Sequence, residues 1–398
     1  MKCLSLFSGA GGLDLGLEAA GFQIVASIEQ DSDCCATLRK NGRKAVVCAD
    51  VGAIDFQKIV DRHAIDLVIG GPPCQPFSKS ALWTHMGARG LSDPRTKTID
   101  LFVKSIEELR PRAFILENVE GFGKLGGFQA LLDGLEQLET RGGSRYQVTS
   151  QIVSAADFGV PQKRKRFFAV GIAEAEEFCF PTPTHGPGRK PYASAWDACA
   201  LAGKSKKADN ETLDVKGRWA PLLPSIPPGN NYLWHTNRGG GQAIFGWRTR
   251  YWSFLYKLDP TKPSPTIVAN PAQTSGPFHW QNRMLSTREL AAIQTFPTTY
   301  KFEGNRSSRQ RQIGNAVPPL LAEHIGRSLI SHLGGTAPRK PKYSIVRSNA
   351  KPIVPEVSPI PEGFESLIGA HPDHPGTGLG PRPRPRLKQP VEAGPSPQ

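Results

Sequence analysis

Between residues 4 and 172 short apolar runs alternate with helical apolar periods, and few folds accommodate that order. Residues 4–7, 24–28, 45–48, 67–69, 113–116, 146–153 and 167–172 read as strands. Residues 13–20 read as a helix, and Asp31 or Ser32 is placed to cap another. Ile99, Phe102, Val103, Ile106 and Leu109 fall on one helical face, as do Phe128, Leu131, Leu132, Leu135 and Leu138. Strands alternating with helices imply a mostly parallel sheet covered on both faces. The expected class is therefore α/β, with a doubly wound, mixed and mostly parallel sheet.

The alternation stops near Phe180. Residues 181–282 are rich in Pro, Gly and aromatics and hold Trp196, Trp219, Trp234, Trp247, Trp252 and Trp280, leaving only Trp83 elsewhere. Helical character returns at residues 286–294, where Ser286 or Thr287 can cap, and at 319–329. From Thr336 prolines recur and lead to Pro381-Arg382-Pro383-Arg384-Pro385-Arg386. The expected organisation is a catalytic and cofactor-binding domain at 1–180, an irregular smaller domain at 181–282, a return to the large domain at 283–335, and a disordered tail at 336–398.

Three glycine, proline and charge patterns carry candidate chemistry. Phe7-Ser8-Gly9-Ala10-Gly11-Gly12 joins the first strand to the first helix, where glycines let backbone approach a ligand. Glu29 and Asp50 follow the next two strands, and a carboxylate ending the second strand suits a ribose diol. A dinucleotide site is the alternative for this turn. Gly70-Gly71-Pro72-Pro73-Cys74-Gln75-Pro76-Phe77-Ser78 places Cys74 in a proline-braced turn after a strand. A free cysteine is usually a small buried hydrophobe; rigidity on both sides suits a nucleophile that must be aimed. Gln162, Arg164 and Arg166 precede a strand at alternate positions, on one face.

Together these segments resemble the cytosine-5 DNA methyltransferase family. The resemblance rests on the Gly-Pro-Pro-Cys-Gln-Pro loop, Glu117-Asn118-Val119 after a strand, Gln162-x-Arg164-x-Arg166, the stretch from Arg283 to Pro297, and Gln312-Ile313-Gly314-Asn315-Ala316-Val317-Pro318-Pro319. It implies a class I methyltransferase fold and S-adenosylmethionine as cofactor, with no metal. Phe7 would stack on adenine, and Gly9, Gly11, Gly12, Pro73 and Asn315 would line the cofactor pocket. Glu29 would hold the ribose and Asp50 the adenine amino group. Gln30 stands where the family often has tryptophan. Cys74 would attack carbon 6 of a flipped-out cytosine. Glu117 would bind the ring nitrogen and exocyclic amine, and Gln162, Arg164 and Arg166 would complete the catalytic set, with Arg164 orienting the base. Residues 181–282 would be the target-recognition domain, with Gln75, Ser78, Arg238, Arg248 and Arg250 against double-stranded DNA.

A net charge of +14 accords with a polyanionic partner. No run of about 18 apolar residues suggests a membrane span. Seven scattered cysteines without a Cys-x-x-Cys pair suit a reducing compartment rather than a disulfide framework or zinc site. The reading is thus a monomeric, cytoplasmic, bacterial enzyme, nucleoid-associated through its DNA, that works beside a restriction endonuclease without binding it. An RNA-directed member of the family and a non-catalytic DNA-binding regulator are the alternatives.

Overall fold

The computed structural model describes residues 1–60, 64–73, 97–122, 128–173, 177–203 and 211–369. Strands are β1 (Lys2–Leu6), β2 (Gln23–Glu29), β3 (Val46–Cys48), β4 (Leu67–Gly70), β5 (Ala113–Val119), β6 (Gln147–Ser154), β7 (Gln162–Lys163), β8 (Lys165–Ile172) and β9 (Ser264–Pro265). Helices are α1 (Gly12–Ala20), α2 (Ser32–Lys40), α3 (Phe56–Val60), α4 (Lys97–Leu109), α5 (Phe128–Glu136), α6 (Ala195–Gly203), α7 (Thr287–Ile293), α8 (Arg306–Asn315) and α9 (Pro319–His332). A seven-stranded sheet runs in the order β3-β2-β1-β4-β5-β8-β6. β1 to β5 are parallel, and β8 runs antiparallel to both β5 and β6. The doubly wound reading therefore holds. The order reverses between β1 and β4, the crevice where such sheets bind ligands.

Strand side chains alternate between two cores. Cys3, Leu67, Ile69, Ala113 and Ile115 face α1 and α9, whereas Leu4, Leu6, Val68, Phe114 and Leu116 face α4 and α5. A third cluster joins α6, α7 and α8 through Trp280, Ile293, Phe296 and Ile313. A fourth is mainly aromatic: Tyr232, Phe245, Phe254 and Phe278, with Trp219 packed against them. Residues 181–282 thus divide between two clusters, because α6 packs on α7 rather than on the aromatic group. Trp280 is core and Trp196 meets its edge, whereas Trp252 is exposed.

The expectation of disorder from Thr336 fails up to Gly369. Both oxygens of Glu323 in α9 accept the amides of Lys342 and Tyr343. Ser348 donates its amide to Asp197, and the carbonyls of Ala350 and Ile353 accept from the indoles of Trp196 and Trp280. Further on, Ser358 donates to the Pro224 carbonyl, Phe364 packs on Trp219, and Gly369 donates to the Ala243 carbonyl. Prolines suppress helix and sheet, but isolated carbonyls and amides between them still meet fixed partners. Residues 370–398, including the Pro-Arg repeat, lie outside the described residues.

Cys199, His279 and Glu289 bring donor atoms within 4.8 Å of one another. Arg283 holds both Glu289 oxygens, at 2.7 and 2.8 Å, so the group is an ion-pair network beneath the capping box of α7. Burial, helped by Arg283 and opposed by Glu289, pushes His279 down to about 4; burial does the same to His324. Unfolded histidines titrate near 6.5, so between there and about 4 the unfolded chain binds protons that the folded chain refuses. Stability is full above that window and falls as pH falls through it, by roughly 2 kcal/mol per histidine at pH 5. Melting temperature should drop several degrees from pH 7.5 to 5 and drop less in the H279Q/H324Q double variant. Equal drops in both proteins would reject this account.

Candidate active site

The glycine turn is drawn shut by Glu29. One carboxylate oxygen accepts the Gly9 amide at 2.8 Å and the other the Asp31 amide at 2.8 Å. Phe7 and Gly9 both sit at φ 53, bending the chain sharply off β1, and Gly11 begins α1 at φ 77. The closing block packs against this turn: the Val317 carbonyl oxygen stands 2.2 Å from where a Cβ on Gly12 would be. Only glycine permits that approach. Asn315, the last residue of α8, is exposed beside this return.

Asp50 ends the loop after β3 and caps the following turn through the Gly52 amide at 2.7 Å. Leu101 in α4 lies against this turn, 3.4 Å from the position of a Cβ on Gly52. Glu29 and Asp50 therefore stand at the carboxyl ends of the adjacent strands β2 and β3, on one side of the switch point. Space beyond Gly9 is open for at least 4 Å around its missing Cβ. Each Glu29 oxygen uses one lone pair on an amide and keeps one for a hydroxyl donor. A glycine cradle, half-buried Phe7 and two carboxylates fit an adenosine-bearing ligand with a diol and an amino group.

Two residues to which the sequence assigns no role hold this turn. Asp14 is buried and accepts from Ser5 Oγ at 2.6 Å and Ser27 Oγ at 2.7 Å, locking α1 to β1 and β2. Tyr300 donates its hydroxyl to the Ala10 carbonyl at 2.7 Å. Tyr300 is far in sequence from its partner, and Asp14 looks like an ordinary polar residue of the first helix.

Glu117 ends β5. Register pairs it with Phe168 and pairs Val119 with Arg166, which makes Glu117 and Arg166 diagonal neighbours on one face. Arg166 Nε lies 2.9 Å from Glu117 Oε1. Burial raises the Glu117 carboxyl above its usual range, against the pull of Arg166 and then Arg164. Arg164 is fully buried and donates to the Gly314 carbonyl at 2.7 Å, leaving Nε and Nη1 without a hydrogen-bond partner. Burial opposes its charge first, and Arg166 adds to that. The structure thus gives Arg166 the ion pair with Glu117 and ties Arg164 to the Gly314 carbonyl. Gln162 ties to Gln294 and to the Ile267 amide, and β7 pairs with β9 beside it. The three alternate residues therefore have separate partners.

Pro73 is the last described residue before Cys74, which with Gln75 and Ser78 lies outside the described residues. The chain leading there is fixed. A Cβ on Gly71 would stand 2.8 Å from Glu117 Oε2. Asn118 donates to the Pro72 carbonyl at 3.3 Å, and Thr98 to the Pro73 carbonyl at 3.1 Å. Position 74 thus follows directly from a backbone pinned beside Glu117.

Arg238 and Arg248 both approach the Trp247 ring, at 5.0 and 5.9 Å from its centroid. Arg250 turns instead toward Phe254. Among the described residues, no helix is long and apolar enough to cross a membrane.

The pattern of C-5 cytosine-specific DNA methylases matches residues 1–331 of the chain. A type II methyltransferase of Streptomyces achromogenes, M.SacI, is 36% identical over 375 residues, covering 84% of this chain and 94% of that protein. M1.HphI of Haemophilus parahaemolyticus, also a type II methyltransferase, is 32% identical over 82% of this chain and 86% of its own length. Among solved structures, a mutant DNMT2 of Spodoptera frugiperda superposes with a TM-score of 0.57 at 16% identity, covering 83% of this chain and 99% of that one. That last likeness is one of fold.

Proposed function

The chain belongs to the C-5 cytosine-specific DNA methylase family, and we propose from that premise how its residues divide the work. The enzyme transfers a methyl group from S-adenosylmethionine to carbon 5 of cytosine in DNA. The observation that carries the division of roles is the buried Glu117–Arg166 pair beside the pinned Pro72-Pro73 backbone.

Carbon 5 of cytosine is a weak nucleophile. Cys74, as thiolate, adds to carbon 6 and makes carbon 5 enamine-like. The guanidinium groups of Arg164 and Arg166 favour the anionic sulfur. Glu117, whose carboxyl pKa burial shifts upward, shares a proton with ring nitrogen 3 and accepts from the exocyclic amine as charge develops on the ring. After methylation a base removes the carbon 5 proton and Cys74 leaves. A cytosine stacked in a duplex is out of reach of this site, so it must be flipped out.

S-adenosylmethionine supplies an electrophilic methyl group on a sulfonium. Glu29 would hold its ribose hydroxyls, Asp50 its adenine amino group and Phe7 one face of the ring, while Gly9, Gly11, Gly12, Pro73 and Asn315 shape the methionine side. Residues 181–282 carry target recognition on duplex DNA, with Arg238 and Arg248 toward the bases. Relatives named as type II methyltransferases support a role in host-DNA protection. The enzyme acts as a monomer in the bacterial cytoplasm beside an endonuclease for the same site.

Bisulfite sequencing of plasmid DNA from a host without its own cytosine methylation tests this reading. One recurring short sequence should become protected when the chain is expressed. Unprotected plasmid from cells holding soluble protein would reject it, and protection confined to RNA would favour the RNA-directed branch.

A further inference from the structure

We propose that Trp247 is a positioning residue that presents Arg238 and Arg248 as two guanine-reading forks. This rests on the assignment of residues 181–282 to target recognition. The two arginines are ten positions apart, yet both guanidinium groups stand over one indole. A guanidinium over an aromatic face keeps its charge while losing freedom of orientation. Guanine offers two adjacent acceptors, O6 and N7, in the major groove, which match one fork. Two forks fixed by one ring call for guanine at two positions of the target.

The surrounding backbone supports this role. Arg238 is followed by three glycines laid against Trp234. A Cβ on Gly240 would stand 2.4 Å from that indole, and one on Gly239 2.2 Å from the Trp234 carbonyl. The loop therefore cannot carry side chains there, and its floor is rigid. Gly241 donates to the Trp234 carbonyl at 3.0 Å. His235 fixes the next turn, Nδ1 donating to the Gln242 carbonyl at 3.1 Å while Nε2 faces Ser225 Oγ at 2.9 Å. Gly369, at the end of the C-terminal segment, donates to the Ala243 carbonyl at 2.8 Å. Arg248 itself sits at φ 58, a left-handed turn that a non-glycine residue adopts at some cost. The loop is thus built stiff from below, with its two arginines exposed above.

The test is methylation of a duplex library randomised around the target cytosine, read by bisulfite sequencing. Wild type should require guanine at two positions. W247A should relax both by roughly ten- to a hundredfold, whereas W247F, which keeps a ring face, should retain much of the discrimination. R238K and R248K, which keep charge but lose the fork, should each relax one position. Positional preferences in W247A, R238K and R248K identical to wild type would overturn the proposal, as would a wild-type target lacking two such guanines. Absence of methylation by wild type on any duplex would instead strike at the assignment of the enzyme to DNA.

Discussion

Cys74→Ser is expected to lower methyl transfer at least about a thousandfold without lowering the melting temperature. A thiol near positive charge ionises at neutral pH, and its anion is the nucleophile; a serine hydroxyl stays protonated. Placement adds to the effect. Asn118 and Thr98 bind the carbonyls of Pro72 and Pro73, so the backbone that delivers position 74 has little room to adapt. The measurement is the initial rate on a duplex substrate with a labelled methyl donor. A second readout separates mechanism from binding. A target carrying 5-fluorocytosine has no carbon 5 proton to lose, so wild type should remain attached to it through denaturation and the serine variant should not. A variant that methylates at the wild-type rate would remove Cys74 from the mechanism.

Glu117→Gln should reduce kcat by about 10²- to 10⁴-fold, with KM for DNA changed far less. Glutamine keeps the shape of the side chain and one acceptor, but it has no acidic proton to share with the ring nitrogen. It also deprives Arg166 of its carboxylate, 2.9 Å away. Burial raises the carboxyl pKa, so its protonated fraction falls as pH rises through that raised value. A descending limb in kcat over that range is expected for wild type and should vanish in the glutamine variant. A loss confined to KM would mean that Glu117 only helps to bind DNA.

The glycine turn and the carboxylates around it were legible in the sequence because the pattern is local. A glycine turn follows one strand, and Glu29 and Asp50 end the two after it, so strand order alone predicts their proximity. The Glu117 and Gln162-x-Arg164-x-Arg166 spacing was legible in the sequence, but the partners were not. Arg164 and Arg166 look interchangeable two residues apart; only the antiparallel register of β5 and β8 decides that Arg166 meets Glu117. Asp14 and Tyr300 escaped notice because their meaning lies in what long-range packing brings to them. Residues 336–369 were misread for a related reason. Their composition disfavours long helices and strands, and composition says nothing about fixed acceptors elsewhere on the surface, such as Glu323, Asp197 and the Pro224 carbonyl.

That C-terminal segment works as a lashing. It starts on Glu323 of α9, passes the indoles of Trp196 and Trp280, and ends on Ala243 beside the loop of Arg238. The fastenings are two amide bonds to the Glu323 carboxylate, single hydrogen bonds further on, and the packing of Ile360, Phe364 and Leu367 on the aromatic cluster. A tie of this kind peels from one end rather than snapping, so a break in the middle leaves both halves attached. A protease nick within residues 344–357 should therefore leave a fragment that stays bound, and the grip on the reading loop would depend only on the stretch from Ser358 to Gly369.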